Sequence, residues 1–328
     1  MSKARTFPLP FALLPGRKDT DRPSPSPQPR REARHWAEEA TARAREGRHF
    51  EAAECWRKAL ALEPLWAEGW HDLGVALEAS GLREDARRAF EEAARILPGF
   101  PEAWFQLGNV CTGLGRCEDA VAAYRQCLKH APADARTWFN LGYALCQSGR
   151  PEEARSTYRE ALRLNSSDPA TWYNLGNTYL DGSQPARALA CYEEAVALDG
   201  EDAEVWNNKA VALARMGLLA ESTRCYLRVL EIQPRSAPTW NALGTVWSRL
   251  GDHDRALECF KAAIRLDEQA AAYFLNRAVT HACLGERDLA IRDIERAVRL
   301  NPLLIEVVPA LQPLRSCLED ERLKDLLS

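Results

Sequence analysis

The sequence lacks the features that would place it among membrane proteins, nucleic-acid binders or familiar enzyme classes. No apolar run approaches the ~18 residues that a membrane-spanning helix needs. The net charge is −4, so there is no basic surplus of the kind that neutralises nucleic-acid phosphates. HExxH, GxSxG and glycine-rich phosphate-loop motifs are absent, and the six histidines are scattered. These absences predict a protein that is not an enzyme, needs no cofactor or metal, and binds neither membranes nor nucleic acid.

What the sequence does contain is one pattern that returns every 34 residues, seen most clearly in TWYNLGNTYL at 171–180. In each unit a small residue lies four positions after the leading aromatic residue. A glycine follows near the middle of the unit, and the second half contains an alanine and a second aromatic residue. A fixed period of this length indicates stacked supersecondary units. The leading aromatic residues are Trp36, Trp70, Trp104, Trp138, Trp172, Trp206, Trp240 and Phe274.

The spacing within one unit predicts two helices. Tryptophan, leucine, glycine and the next apolar residue fall at i, i+3, i+4 and i+7, which is one face of an α-helix. The mid-unit glycine stops that helix because it accepts a left-handed backbone at little cost; in the fifth unit Gly182 stands one position early. A second amphipathic helix follows, and in five units a proline ends it. Since one pair cannot cover its own apolar face, each pair must stack on its neighbours.

The pattern W-x2-L-G-x2-Y, then G, A-x3-F, A and P, resembles the tetratricopeptide repeat. The resemblance implies an all-α fold, a right-handed superhelical solenoid of antiparallel helix pairs, and a non-catalytic scaffold or adaptor that binds proteins. Eight repeats are predicted, at 33–66, 67–100, 101–134, 135–168, 169–202, 203–236, 237–270 and 271–304.

The two ends of the chain depart from the repeat. Residues 1–32 contain seven prolines and carry seven basic and three acidic residues, a charge of 7 − 3 = +4, which predicts a disordered basic tail. Residues 305–328 are predicted to cap the last repeat, with a helix over 311–327 that turns its leucines inward.

In this family the non-core face of each first helix lines a concave groove, at the second, fifth, sixth, ninth, twelfth and thirteenth positions of the repeat. We call these the groove positions. An asparagine carboxamide has both a donor and an acceptor, so a series of them can hold a peptide backbone, while rings add apolar contact area. The predicted peptide-binding residues are Phe105, Asn109, Phe139, Asn140, Tyr143, Tyr173, Asn174, Asn177, Asn207, Asn208, Arg215, Asn241, Arg249 and Asn276.

Charge differs along these positions. Early repeats contribute carboxylates and later ones contribute Arg215 and Arg249, so a ligand with a basic end and an acidic end would be complementary.

Alternative interpretations remain open. The asparagines are also explained as polar residues that face water. The chain would equally serve as a structural subunit of a larger assembly, such as a ciliary or ubiquitin-ligase scaffold, or as the targeting or regulatory subunit of a separate enzyme. A co-chaperone of the Hsp70 and Hsp90 type is disfavoured, because Phe105 and Tyr173 stand where its carboxylate clamp needs lysines.

The ten cysteines fit this repeat as free thiols. No CxxC or histidine-linked metal spacing occurs, and Cys191, Cys225 and Cys259 recur once per repeat. Packed helices are on the order of 10 Å apart, whereas the Cα atoms of a disulfide lie within about 7 Å. Unpaired thiols and the absence of a secretory signal predict a cytoplasmic protein.

Overall fold

The computed structural model describes residues 30–315, 317–321 and 323, so nearly all of the predicted tail lies outside the described residues. Within them, sixteen helices follow one another, two in each repeat, and there is no β-strand, which confirms the predicted all-α repeat fold. The helices are α1 (Arg31–Arg45), α2 (His49–Leu62), α3 (Ala67–Ala79), α4 (Arg83–Ile96), α5 (Pro101–Gly113), α6 (Cys117–His130), α7 (Ala135–Gln147), α8 (Pro151–Leu164), α9 (Pro169–Asp181), α10 (Pro185–Leu198), α11 (Ala203–Arg215), α12 (Leu219–Ile232), α13 (Ala237–Arg249), α14 (His253–Leu266), α15 (Ala271–Cys283) and α16 (Arg287–Leu300).

The chain divides into two compact units, Met1–Thr178 and Tyr179–Ser328, with the boundary inside α9. In the first unit each helix from α1 to α8 packs against the next along the chain, and in the second unit the helices from α10 to α16 do the same. The first helices of neighbouring repeats also touch, α5 with α7 and α13 with α15. Each unit is therefore a stack of helix pairs whose first helices lie side by side.

Within a pair, the two helices meet where an aromatic ring of the second covers a glycine of the first. A Cβ atom at Gly108 would lie 2.4 Å from the Tyr124 ring, and one at Gly142 would lie 2.7 Å from the Tyr158 ring. Both tyrosines are fully buried. The glycine thus allows close approach while the ring fills the core, as the sequence pattern predicts.

The recurring tryptophan has a second structural role that an ordinary apolar residue could not take. In six repeats its indole Nε1 donates a hydrogen bond to the backbone carbonyl six residues earlier, as in Trp138 to Pro132 at 2.8 Å and Trp172 to Ser166 at 2.9 Å. The bond ties each first helix to the loop that enters it. It supplies a partner for a polar group on an otherwise apolar side chain.

The turn inside the fifth repeat differs from its counterparts. In seven repeats a glycine takes the left-handed conformation there, with φ between 72° and 82°. In the fifth repeat Ser183 does so, with φ of 55°, and Gly182 precedes it. Gly182 therefore does not shift the turn. The first helix ends at the same position as in the other repeats, so the residue at position 183 takes the left-handed conformation although it is a serine.

Ser183→Gly is expected to raise the free energy of unfolding by roughly 0.5–1 kcal/mol. A left-handed backbone costs any residue with a side chain about 1–2 kcal/mol, and glycine avoids this cost. Part of the benefit is lost because glycine has more conformational entropy in the unfolded chain. Urea denaturation of both proteins measures the difference. Gly149→Ser at the equivalent turn is the matched control and should lower stability. If both substitutions changed the free energy of unfolding in the same direction and by the same amount, the left-handed conformation would not be the cause.

The C-terminal segment covers the last repeat, but the start of the predicted helix over 311–327 is not α-helical. After α17 (Leu304–Val307) come two short 3-10 turns at Val308–Ala310 and Gln312–Leu314, whereas Glu321 and Leu323 are in helical conformation. Pro309 and Pro313 lack the backbone N–H that a continuing helix needs. Leu314, Cys317 and Leu323 are nevertheless fully buried in the same apolar cluster as Ile294 of α16. Among the described residues, the segment therefore departs from the predicted helix at 312–314, where turns take its place.

Candidate peptide-binding groove

In the first unit, the predicted groove residues of repeats 3 and 4 form one half-buried surface on α5 and α7. The Phe105 and Phe139 rings rest on the buried tyrosines of their own repeats, with centroid distances of 6.1 Å to Tyr124 and 6.0 Å to Tyr158. The Arg136 guanidinium, which the sequence argument did not single out, lies 5.4 Å from the centroid of the Phe105 ring. The rings are therefore held in place by packing, and a cation lies over one of them.

The side-chain amides between these rings form hydrogen bonds with one another. Asn140 Nδ2 donates to Asn109 Oδ1 at 3.0 Å, and the Tyr124 hydroxyl donates to the same oxygen at 2.9 Å. Asn109 Nδ2 donates to Gln106 Oε1 at 2.8 Å. Both lone pairs of the Asn109 oxygen are thereby used, whereas each amide nitrogen has a second hydrogen. Burial raises the pKa of Tyr124 well above its usual value, so its hydroxyl remains a donor at every physiological pH.

The predicted groove residues on α9 are enclosed. Tyr173 is 3% exposed, Asn174 is 2% exposed and Asn177 is 7% exposed. Both polar atoms of the Asn174 side chain lack a hydrogen-bond partner in the part of the chain that the structure describes. Asn208, in the second unit, is likewise buried. A ligand cannot touch these side chains as they stand, so they do not belong to an accessible carboxamide ladder.

In the second unit, the half-buried asparagines Asn207, Asn241 and Asn276 remain at groove positions. Asn276 Nδ2 donates to Asn241 Oδ1 at 2.9 Å across neighbouring repeats, and Asn207 Nδ2 donates to Asn208 Oδ1 at 3.2 Å. This pairing across repeats parallels the one between Asn109 and Asn140.

The two groove arginines each bond to the end of the preceding first helix. Arg215 Nη1 donates to the Leu180 carbonyl at 2.8 Å, and Arg249 Nη1 donates to the Ala214 carbonyl at 3.4 Å. Helix ends leave carbonyls without intrahelical partners, so these arginines act as caps. Both side chains are exposed. Their remaining N–H groups are available to a ligand carboxylate.

Groove positions in repeats 2 and 3 carry the carboxylates Glu68, Asp72, Glu78 and Glu102 and no basic residue except His71. His71 Nδ1 lies 3.0 Å from Asp72 Oδ1. Burial raises the pKa of Glu78. The acidic end of the groove positions therefore stays a prediction, in which Glu78 is the carboxyl that burial makes easiest to protonate.

The residues that the structure describes hold no group of histidine, cysteine and acidic side chains able to bind a metal. None of the described helices combines the length and the apolar character needed to cross a bilayer. All ten cysteines are free thiols, and Cys283 is exposed.

Alkylation should follow this difference in exposure. Burial raises the pKa of Cys111 and of Cys259 to about 11. At pH 8 only about one in a thousand such thiols is ionised, so we expect iodoacetamide to modify Cys283 first and these two last. Peptide mass spectrometry over time reports each site, and the denatured protein, in which all cysteines should react alike, is the control. Equal rates at Cys259 and Cys283 in the native protein would contradict the structure.

Comparison with known proteins agrees with the observed fold. Four models of the tetratricopeptide repeat match the chain. One matches residues 105–169 and 241–304, and the other three match 67–110, 146–210 and 201–269. Together they span residues 67–304. No curated protein matches the chain.

Three solved structures illustrate the similarity. YrrB, described as a TPR protein with an unusual peptide-binding site, is 23% identical, with a TM-score of 0.52 over 57% of this chain and 96% of its own. Pseudomonas aeruginosa pilF is also 23% identical, with a TM-score of 0.52 over 63% and 94%. The C-terminal part of a TPR repeat-containing protein from Cytophaga hutchinsonii is 14% identical, with a TM-score of 0.62 over 70% and 95%. These likenesses concern the fold, and with the repeat models they show that the chain belongs to the tetratricopeptide repeat family.

Proposed function

We propose that this protein is a non-catalytic adaptor that holds an extended segment of a protein partner on the groove positions of repeats 3 and 4. The observation that carries the proposal is the surface formed by Phe105, Phe139 and the Asn109–Asn140 pair, with the half-buried Tyr143 at a groove position of the same helix as Phe139. The Phe105 and Phe139 rings are half-buried and packed on buried tyrosines, so a ligand gains apolar contact without ordering them. The second hydrogen of the Asn109 amide nitrogen supplies a donor for a carbonyl of a peptide backbone.

The second unit offers a further set of contacts of the same kind. Asn207, Asn241 and Asn276 supply amide groups, and Arg215 and Arg249, one repeat apart, favour an acidic ligand segment. The peptide-binding site named for YrrB is consistent with this use of the fold. Asn174, Asn177, Asn208 and Tyr173 are left out of the proposed contact surface because they are buried.

Phe139→Ala combined with Asn140→Ala should weaken peptide binding by about tenfold or more, which is the usual effect of removing a packed aromatic anchor. The probe is a random twelve-residue peptide library displayed on phage, selected on the full chain and then measured against each variant. Phe50→Ala is the matched control, because Phe50 is a 57% exposed ring on α2, away from the groove positions. Selected peptides that bind the double variant unchanged, while it melts like the parent, would refute the proposal.

The same experiment separates the alternatives. If the chain acts as a structural subunit of an assembly, or as the regulatory subunit of an enzyme, through another face, Phe139→Ala with Asn140→Ala will leave that association intact. Arg215→Glu with Arg249→Glu tests the second unit, where binding of acidic peptides should fall and binding of neutral ones should not.

A further inference from the structure

We propose that the second unit carries a separate docking site for a proline-rich segment of a partner protein, with two apolar side chains three residues apart and a carboxylate beside them. The site is a groove between α12 and α14, with α13 as its floor, and its volume is about 730 Å³. We call it the α12/α14 groove. Its volume falls within the range of roughly 300–1,000 Å³ that is typical of ligand sites.

The α12/α14 groove lies on a different face of α13 from the groove positions. Its floor is formed by Trp240, Leu243 and Trp247, at the fourth, seventh and eleventh positions of the seventh repeat. Asn241 and Arg249 occupy the fifth and thirteenth positions of that repeat. A partner bound here would leave the groove positions of α13 free.

Leu227, on the α12 wall, distinguishes the α12/α14 groove from the same position in the other repeats. The other seven repeats carry a charged residue at its position: Arg57, Glu91, Arg125, Arg159, Glu193, Lys261 and Glu295. Leu227 is 44% exposed and lines the groove. An apolar side chain that replaces a charge and is not buried contributes little to the core, and a contiguous apolar patch of this kind indicates a binding surface.

Trp247 strengthens the same argument. It is the one tryptophan at its position among the eight repeats. It is half-buried, and the Arg255 guanidinium lies 4.6 Å from its ring centroid. Leu227, Trp240 and Trp247 therefore form one apolar surface at the junction of two repeats.

The spacing of the two rings selects the shape of the ligand. Trp240 and Trp247 are seven residues apart on α13, which corresponds to about 10.5 Å along the helix axis. In a polyproline II segment, side chains three residues apart lie on the same side and about 9.3 Å apart. Such a segment can place one apolar side chain against each ring. Aromatic grooves recognise this conformation because it is already extended and loses little entropy on binding.

The charges around the groove select a carboxylate on the α12 side. Arg224 on that wall is 75% exposed and lies 3.9 Å from Glu221, a loose contact. On the α14 wall, Lys261 pairs with Glu258 at 2.9 Å and lowers the pKa of that carboxyl. The α14 wall carries two acidic residues, Asp254 and Glu258, and two basic ones, Arg255 and Lys261, so it has no net charge, whereas Arg224 is the one charged residue that lines the groove on α12. An acidic ligand residue is therefore favoured next to Arg224.

The test uses the full chain and a fluorescein-labelled peptide, Pro-Glu-Pro-Leu-Pro-Pro-Leu-Pro-Pro, together with its reversed sequence, measured by fluorescence anisotropy. We expect saturable binding of at least one of the two. Leu227→Glu should weaken it about tenfold or more, and it should not disturb the fold, since charged residues occupy this position in the other repeats. Leu198→Glu is the matched control, because Leu198 is 43% exposed on α10 in the same unit but does not line the groove.

Charge and spacing are tested separately. Arg224→Glu should weaken the binding of the glutamate peptide and not of its glutamine counterpart, and moving the second leucine by one residue should weaken binding to the parent protein. The proposal is overturned if neither orientation binds saturably, or if Leu227→Glu and Leu198→Glu have equal effects. Phe139→Ala should leave this binding unchanged, so failure here is distinguishable from failure of the proposed function.

Discussion

Asp293→Ala should lower the free energy of unfolding by about 3–5 kcal/mol, since it leaves a largely buried guanidinium without its partner. Arg277 Nε and Nη2 donate to the two carboxylate oxygens of Asp293, each at 2.7 Å. The Asp293 side chain is 9% exposed and that of Arg277 is 21% exposed. His281 Nε2 lies 3.9 Å from the same carboxylate, so it loses a neighbour as well.

The double variant Arg277→Leu with Asp293→Ala distinguishes loss of the pair from loss of packing. Leucine occupies the position of Arg277 in five other repeats, and alanine occupies that of Asp293 in two, Ala89 and Ala123. Replacing a buried ion pair with apolar residues is often neutral or stabilising. We therefore expect the double variant to be within about 1 kcal/mol of the parent. Urea denaturation and calorimetry measure both variants. A double variant as unstable as Asp293→Ala alone would show that the charges are not the cause.

Gly108→Ala should lower the free energy of unfolding by about 1–3 kcal/mol, the usual cost of overpacking a core. The added methyl group would lie 2.4 Å from the Tyr124 ring. That ring has no room to move, because it is 1% exposed and its hydroxyl is bonded to Asn109 at 2.9 Å. Helix α5 must therefore move away from α6, and the Asn109–Asn140 pair is disturbed along with it.

Gly113→Ala, on the same helix, is the control of opposite sign. A Cβ atom there would meet nothing closer than Arg83 Nε at 4.0 Å. Alanine is a better helix former than glycine by about 0.8–1 kcal/mol in a helix interior, so stability should rise slightly at this helix end. Thermal melts monitored by circular dichroism suffice for both variants. A loss of similar size at both positions would contradict this explanation, because only the methyl group at position 108 meets the Tyr124 ring.

Much of the fold was predictable because the repeat determines it locally. Gly108 and Tyr124 meet as their spacing predicts, since one supplies space and the other fills it. The turn at Ser183 shows the limit of residue identity, because glycine is preferred there but the helix end dictates the backbone. The start of the C-terminal segment was predicted less well, because Leu314 reaches the last core from a 3-10 turn that contains Pro313 and not from a helix.

For the candidate site, the sequence indicated which residues share a helix face and did not indicate how exposed they are. Periodicity gives the direction of a side chain around its helix, but it did not predict that Asn109 and Asn140 bond to each other. It does not give the depth of that side chain beneath neighbouring elements, which is why Asn174 was predicted to contact a ligand and is buried instead. Nor does it identify the partner of a polar group, such as the helix carbonyl that Arg215 caps.

The sequence by itself determined the helix pairs, their period and the family, because these depend on side-chain spacing and backbone preference over a few residues. Only the tertiary structure decided which polar groups are accessible, which are consumed by one another, and that Leu227, Trp240 and Trp247 meet in one groove. Those properties depend on atoms from repeats 34 residues apart in the chain, and their distances are set by how whole helices pack.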